Sequence, residues 1–235
     1  MDKIGPIARN VEDCAIVFNA IYGPDGKDQS VIDAPFRYSP EVNWDSLKIG
    51  YTKSLFDAEY SNHKNDSLTL AKMRSLGVEI VPIELPDFPV EHLSFILNAE
   101  AAAAFDELTR SGRDDLMVRQ VKNAWPNVCR ASRLIPAVEY IQANRARTQL
   151  IQKMAEVMQD VDVYLAPTYG GDNLLLTNLT GHPCVVLPNG FEEDGTPMSI
   201  SFMGQLFDEG MLLTVAKQYQ DATDFHEKHP PEFVE

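Results

Sequence analysis

The order of apolar segments between residues 47 and 81 constrains the fold of this 235-residue chain more than any other feature. Leu47–Tyr51 has the composition of a short strand, and a polar helix is predicted from about Asn65 to Leu76, with Gly77 ending it. Val78–Val81 then has the composition of a second strand. A strand, a helix and a strand in this order predict a βαβ unit in an α/β domain.

Helices are predicted on both sides of this unit. The first begins after the capping residue Asn10 and ends at Gly23-Pro24. Apolar residues at helical spacing predict one buried helix over Val90–Leu108 and a long helix from about Pro136 to Gln159. A last helix is expected to be capped by Asp208.

Two further segments, Val161–Ala166 and Cys184–Leu187, have the β-prone composition of buried strands, and Pro167 and Pro188 are expected to close them. We predict a single domain over residues 1–235. Its acidic end, residues 221–235, contains Pro230-Pro231 and is expected to be poorly ordered or to lie along the surface.

Charge and hydropathy exclude several classes of protein. The chain has 20 basic and 35 acidic side chains, a net charge of −15, and no long basic cluster, so we expect no nucleic-acid binding through a basic surface. The longest apolar runs are far shorter than the roughly 20 residues that a membrane-spanning helix requires. No secretory signal is visible, which predicts a cytoplasmic protein that does not enter a membrane. Cys14, Cys129 and Cys184 have no metal-ligand spacing and are predicted to be buried thiols.

Motifs for common chemistries are absent. The sequence contains no G-x-S-x-G nucleophile elbow and no glycine-rich nucleotide loop, and we predict neither a cofactor nor a bound metal. The one S-x-x-K match, Ser61 to Lys64, lies in a polar stretch and is expected to be solvated surface.

One glycine pair has a more informative position. Tyr169-Gly-Gly-Asp172 directly follows the predicted strand Val161–Ala166, and ligands of open α/β sheets bind beyond the carboxyl ends of strands. The pair predicts a turn with a positive φ at Gly170 or Gly171, a contact with a ligand, or both.

Several blocks of the sequence resemble, in the same order, the conserved stretches of the amidase signature family. This family includes the A subunit of tRNA-dependent amidotransferases, fatty-acid amide hydrolases and bacterial amidases. The first block is similar to the pattern D-x-x-G-P-[MI]-A-R-x-V-x-D, and residues 40–135 match only loosely. The similar blocks are Met1–Asp13, Ile21–Asp28, Tyr140–Arg147, Asp162–Thr168, Asn178–Pro183 and Pro188–Pro197.

The resemblance implies a mixed β-sheet covered by helices on both faces, of which this chain would form the C-terminal part. It also implies amide hydrolysis by a nucleophilic serine, a second serine in a cis peptide and a lysine base, with a glycine-rich loop for the oxyanion. In the family those residues precede the D-x-x-G-P segment, which begins here at Asp2, and no Gly-Gly-Ser occurs in the sequence. We therefore assign no catalytic residue and expect the chain to be inactive alone, as a fragment or as a half that complements an N-terminal amidase half.

Three alternatives remain open. The chain is either such a half or a non-catalytic module that binds a small amide, a carboxylate or a partner protein through Tyr169, Asp172 and Asn178, because these follow a predicted strand end. An amidase with a new nucleophile such as Ser61 is a third option. For a partial fold, uncovered apolar faces predict self-association.

Overall fold

The computed structural model describes residue 1 and residues 3–230 and contains one five-stranded mixed sheet. Its strands are β1 (Lys48–Thr52), β2 (Glu79–Ile83), β3 (Val163–Pro167), β4 (Cys184–Phe191) and β5 (Pro197–Gly204). Their order across the sheet is β2-β1-β3-β5-β4. β1 pairs in parallel with β2 and β3, whereas β5 pairs antiparallel with β3 and β4.

Helices pack on both faces of this sheet, which confirms the predicted α/β class. The helices are α1 (Val11–Ile21), α2 (Lys53–Phe56), α3 (His63–Ser75), α4 (Phe95–Ala104), α5 (Asp106–Arg110), α6 (Trp125–Ser132), α7 (Ala137–Met158), α8 (Asn173–Thr180) and α9 (Glu209–Asp221). Short 3₁₀ turns lie at Trp44–Ser46, Val90–Leu93, Arg113–Leu116 and Phe225–Glu227.

The predicted βαβ unit is present as β1, α3 and β2. Gly77, with φ of +90°, ends α3 in the left-handed conformation that favours glycine. The predicted helix caps are also confirmed, because the Asn10 side chain accepts the Asp13 N–H at 2.7 Å and Asp208 accepts the Met211 N–H. These local signals place α1, α3 and α9 without help from distant residues.

Alternating residues of the strands divide the interior into two apolar clusters. The closed face, as we call the side of the sheet that packs on α1, α3 and α9, contains Ile49, Val163 and Phe202, all fully buried. The opposite face packs on α7, α8 and the chain around Val90–Ile96, and contains the fully buried Tyr164. The period of two along each strand therefore produces a separate core on each side.

The predicted single helix over Val90–Leu108 is wrong. A 3₁₀ turn at Val90–Leu93 is followed by α4 and, after a break at Phe105, by α5. Only Ala101 and Ala102 of the alanine run are buried, so only one side of α4 packs against α6 and α7. High helix propensity did not keep the segment in one piece, because tertiary packing overrides propensity.

The prediction for Cys184–Leu187 needs two corrections. Pro188 does not close this strand, since β4 continues to Phe191 through a register shift between Pro188 and Gly190. β4 is also an edge strand with an exposed Cys184, so neither the strand nor that thiol is buried as predicted. An edge strand tolerates proline because one side of its backbone has no ladder partner.

Pro167 likewise belongs to a strand, as the last residue of β3. The strand β5, which lies between β3 and β4, was not predicted at all.

Part of the predicted acidic end lies in the described chain. α9 ends at Asp221, and a 3₁₀ turn at Phe225–Glu227 packs near β4. Residues 231–235 lie outside the described residues. Among the helices of the described residues, none combines the length and the apolar composition that a membrane-spanning helix requires.

Candidate functional site

Four strands end at the same edge of the sheet. β1, β2 and β3 are parallel, and β4 runs in the direction of β3 because both are antiparallel to β5. The residues after β3, the last residues of β4 and the first residues of β5 therefore meet at this edge. In open α/β sheets, the carboxyl ends of strands form the usual ligand site.

The structure places two of the three predicted contact residues at this edge. Tyr169 follows β3 directly, and its side chain is 91% exposed. Asp172 precedes α8, is exposed, and makes no capping hydrogen bond with its side chain. Asn178 lies instead in the last two turns of α8, roughly 9 Å farther along the helix axis. The sequence analysis did not predict α8, and for that reason it grouped Asn178 with the loop.

The predicted glycine turn between Tyr169 and Asp172 is confirmed. The Gly170 N–H donates to the carbonyl of Pro167 at 2.9 Å, and Gly171 has a φ of +50°. A Cβ atom on Gly171 would also lie 3.0 Å from Leu55 Cδ2, so the Leu55 side chain would have to shift to admit a larger residue there. The loop is thereby held close against the segment that follows β1.

Three hydroxyl groups meet beside this loop. Thr168 Oγ1 lies 3.2 Å from Ser199 Oγ and 3.2 Å from Ser201 Oγ, both in β5. A hydroxyl both donates and accepts hydrogen bonds, so this hydroxyl cluster (Thr168, Ser199, Ser201) can interact with a neutral polar group such as an amide. The alternation of serine with apolar residues at 198–202 was the sequence signal for both β5 and this cluster, and it was missed.

A buried polar network lies on the other side of the same edge. Asp66 Oδ1 accepts hydrogen bonds from Asn62 Nδ2 and Asn189 Nδ2, each at 2.7 Å. Asn189 Nδ2 also reaches Thr69 Oγ1 at 3.3 Å, which in turn lies 3.1 Å from the hydroxyl of Tyr219. These five residues are at most 5% exposed. The network fastens the start of α3 to the end of β4 and to α9.

Burial raises the pKa of the Asp66 carboxyl, because it disfavours the charged form. The hydrogen bond from Asn189 and the interactions with Tyr60 and His63 favour the charged form, but their combined effect is smaller. Burial, with Asp66 nearby, also raises the pKa of Tyr60. Tyr60 and Asp66 influence each other's pKa, but within the described chain neither Tyr60 Oη nor Asp66 Oδ2 has a well-aligned hydrogen-bond partner.

The network also reaches the hydroxyl cluster. Asn62 Nδ2 lies 3.4 Å from the carbonyl oxygen of Ser199, the first serine of that cluster. The network thus holds the backbone at the start of β5 in place, and the hydroxyl groups project from this backbone. Amides and hydroxyls dominate the arrangement, which suits it to binding and positioning.

The sequence predicted Ser61 and Lys64 to be solvated surface, and both side chains are exposed. They lie at the start of α3, on the outside of the network described above. Across the described chain, no group of three or more His, Cys, Asp or Glu side chains is placed to hold a metal ion.

A second buried polar group precedes β4. His182 is 2% exposed, and its Nδ1 lies 2.9 Å from Thr180 Oγ1. Burial, and then the nearby ammonium of Lys3, lower the pKa of His182 to about 4. Lys3 itself donates to the carbonyls of Thr177 and His182 beside the end of α8, where a cation is favourable. Gly181, with φ of +91°, ends α8 and allows the turn into β4.

Comparisons with known proteins agree with this architecture. A protein-family model described as Amidase matches residues 1–175. The A subunit of the glutamyl-tRNA(Gln) amidotransferase of Picosynechococcus sp. is 28% identical over an alignment of 279 residues, which covers 98% of this chain and 57% of that protein.

Two solved structures show the same fold. PAM12A gives a TM-score of 0.77 at 21% sequence identity, covering 98% of this chain and 55% of its own. A bacterial aryl acylamidase of the amidase signature enzymes gives 0.74 at 18% identity, covering 95% of this chain and 53% of its own. This chain therefore spans little more than half the length of each of these three proteins.

The family model covers most of the sequence, and the mixed sheet aligns with part of the amidase signature fold. This chain belongs to the amidase family.

Proposed function

We propose that this chain forms the C-terminal part of an amide-hydrolysing protein and that it is inactive without an N-terminal part. One observation carries the proposal. The chain matches the amidase family over residues 1–175 and spans 57% of the Picosynechococcus relative, yet it contains no Gly-Gly-Ser, the block that the resemblance associates with the family's lysine and two serines. A serine hydroxyl without a base is a weak nucleophile, so the remaining residues would not hydrolyse amides efficiently.

In this proposal the carboxyl edge of the sheet contributes one wall of the substrate site. Tyr169 and Asp172 are exposed beside the hydroxyl cluster, and in the described chain no structural contact explains them. A primary amide offers two N–H donors and one carbonyl acceptor, which match a carboxylate and hydroxyl groups. Asn178 lies away from this loop and stays a prediction from the sequence.

The proposed partner is an N-terminal amidase half, with a second copy of this chain as a weaker substitute. Support comes from β4, an edge strand that carries an exposed Cys184 and a Val186 that is 52% exposed. Exposed apolar side chains on an unpaired strand edge favour association with another chain. A cytoplasmic location belongs to the same proposal.

The test is an assay of the purified chain with a panel of primary amides, measuring ammonia release. We expect no turnover above the buffer control. Turnover that stays with the chain through several purification steps, and that is lost on Ser61→Ala, would instead support a new nucleophile. Addition of the separately produced N-terminal part of a family member is expected to increase amide hydrolysis over that part alone.

The second candidate is a non-catalytic binding module, favoured by the exposure of Tyr169 and Asp172. Isothermal titration with small amides and carboxylates would detect it, and Asp172→Ala should weaken binding of an amide. Heat of binding without any effect of the N-terminal part on activity would favour this candidate over the first.

A further inference from the structure

We propose that a cavity between α4, α5 and α6 binds a small, uncharged and mainly apolar molecule that carries one hydrogen-bond donor. The cavity has a volume of about 350 Å³. Ligand sites in proteins fall in the range of about 300–1,000 Å³, so this one suits a small ligand. The proposal is independent of the proposed function, because it concerns binding by this chain alone.

Apolar side chains from several short elements form the walls. They are Ala101, Phe105, Leu108, Met117, Trp125 and Pro126. Phe105 and Trp125 are about half exposed, at 56% and 48%, so the cavity is accessible from solvent. Removing an apolar ligand from water against such walls is favourable.

One charged side chain lines this apolar cavity. Asp114 is 2% exposed, and Arg130 Nε lies 2.7 Å from its Oδ2. The guanidinium is not aligned for a hydrogen bond, and within the described chain Asp114 Oδ2 has no hydrogen-bond donor. The ion pair with Arg130 compensates this buried carboxylate in part, and a ligand with an N–H or O–H group would supply the hydrogen-bond donor that Oδ2 lacks.

The same charges exclude an anionic ligand. Arg130 is shared, because its Nη2 also binds Asp115 Oδ1 at 2.7 Å. Asp114 and Asp115 therefore share this one cation. A ligand carboxylate would be repelled by Asp114 and would bring no donor to its Oδ2, whereas a primary amide or an alcohol is uncharged and supplies an N–H or O–H group.

The size of the ligand follows from the volume. A water molecule in the liquid occupies about 30 Å³, so a cavity of this volume corresponds to roughly a dozen non-hydrogen atoms. 4-Phenylbutanamide has this size, an apolar body and one donor group at its end. 4-Phenylbutanoate has the same shape and a negative charge, which makes the two a matched pair of probes.

Fluorescence of Trp125 provides the test. The chain has two tryptophans, and Trp44→Phe leaves Trp125 in the cavity wall as the only one. We expect 4-phenylbutanamide to change its emission with a saturable dependence on concentration. We expect 4-phenylbutanoate to bind at least tenfold more weakly. No saturable change with the amide, or equal affinity for both probes, would overturn the proposal.

Two variants locate the binding. Ala101→Leu places three more carbon atoms in the cavity and is expected to weaken binding of the amide at least tenfold. Ala58→Leu, at an exposed position outside the cavity wall, is the matched control and should leave binding unchanged. Should circular dichroism show that Ala101→Leu does not fold, Thr109→Leu in the same wall replaces it. Unchanged affinity in a folded cavity-filling variant would contradict the assignment.

Discussion

The two faces of the sheet differ in how completely helices cover them. On the closed face, Phe202 of β5 is fully buried, and Leu187 of the edge strand β4 is 5% exposed. On the opposite face, Tyr164 of β3 is fully buried beneath α7 and α8, but Val186 of β4 is 52% exposed. In β4, Leu187 therefore lies in a fully packed core, whereas the neighbouring Val186 lies near solvent.

This difference predicts that one face of the sheet determines the stability of the chain and that the other determines its association with another chain. The closed face has the composition and burial of a complete domain core. The opposite face is complete over β1 to β3 but uncovered at β4, and we call it the open face. Substitutions on the closed face should therefore change the free energy of unfolding, whereas those on the open face should change association.

The largest effect is expected from Phe202→Ala on the closed face. Phe202 is fully buried, and its ring centroid lies 5.5 Å from that of Tyr219. Loss of a buried phenylalanine ring costs about 3–5 kcal/mol, through lost burial and the cavity that remains. Urea denaturation measures this loss, with Val186→Ala on the open face as the control. Equal destabilisation by both variants would contradict the distinction between the faces.

A pH-dependent effect of about 3 kcal/mol is expected from His182, beside the open face. Its pKa of about 4 in the folded chain is lower than the ordinary value of 6.5. The unfolded chain therefore binds a proton first as the pH falls, and stability from this group is present above pH 6.5 and lost toward pH 4. A difference of 2.5 pKa units corresponds to about 3 kcal/mol.

The control for this loss is His182→Asn, which keeps a polar group near Thr180 but does not titrate. Its free energy of unfolding, measured by urea denaturation at several pH values, should fall less between pH 7 and pH 4 than that of the natural chain. Parallel pH profiles for the two proteins would show that His182 is not buried as a neutral group.

A smaller effect, of opposite sign, is expected from Asp66→Asn in α3. Burial raises the pKa of Asp66, so its charged form opposes folding as the pH rises above the ordinary carboxyl value of 3.8. Asparagine can still accept the hydrogen bonds of Asn62 and Asn189, and it also supplies a donor toward Tyr60. We expect a gain of about 1 kcal/mol at pH 8 that disappears below pH 4. A loss of stability at pH 8, in thermal melts of both proteins, would contradict this account.

The sequence predicted the closed face better than the open one, for physical reasons. Capping by Asn10 and Asp208, and the left-handed Gly77 after α3, are local signals that do not depend on distant contacts. β5 was not predicted although Met198, Ile200 and Phe202 alternate with serines, because this alternation covers only five residues of the strand. The break at Phe105 depends on how α4 packs against α6, which the sequence does not show directly.

The candidate site was predicted only in part, because much of it depends on contacts between residues that are distant in the sequence. Tyr169 and Asp172 follow β3 in sequence, so their place at the strand end could be inferred. The hydroxyl cluster joins Thr168 to residues more than 30 positions away, and the network joins Asp66 to Asn189 over 123 positions. Both depend on the pairing of β5 with its neighbours, which requires the whole sheet.

The smallest effect on stability is expected from Val186→Lys on the open face. This side chain is half exposed, so the change in the free energy of unfolding should be about 0.5 kcal/mol or less. Lysine on an edge strand opposes pairing with another chain, because its charge would have to be buried. The same substitution should therefore have a large effect on association.

Sedimentation velocity of the isolated chain and of Val186→Lys, over a wide range of concentrations, tests the open face most directly. We predict that the natural chain associates as its concentration rises and that Val186→Lys shifts it toward the monomer. A natural chain that remains a compact monomer at every concentration would contradict the claim that its open face requires a partner.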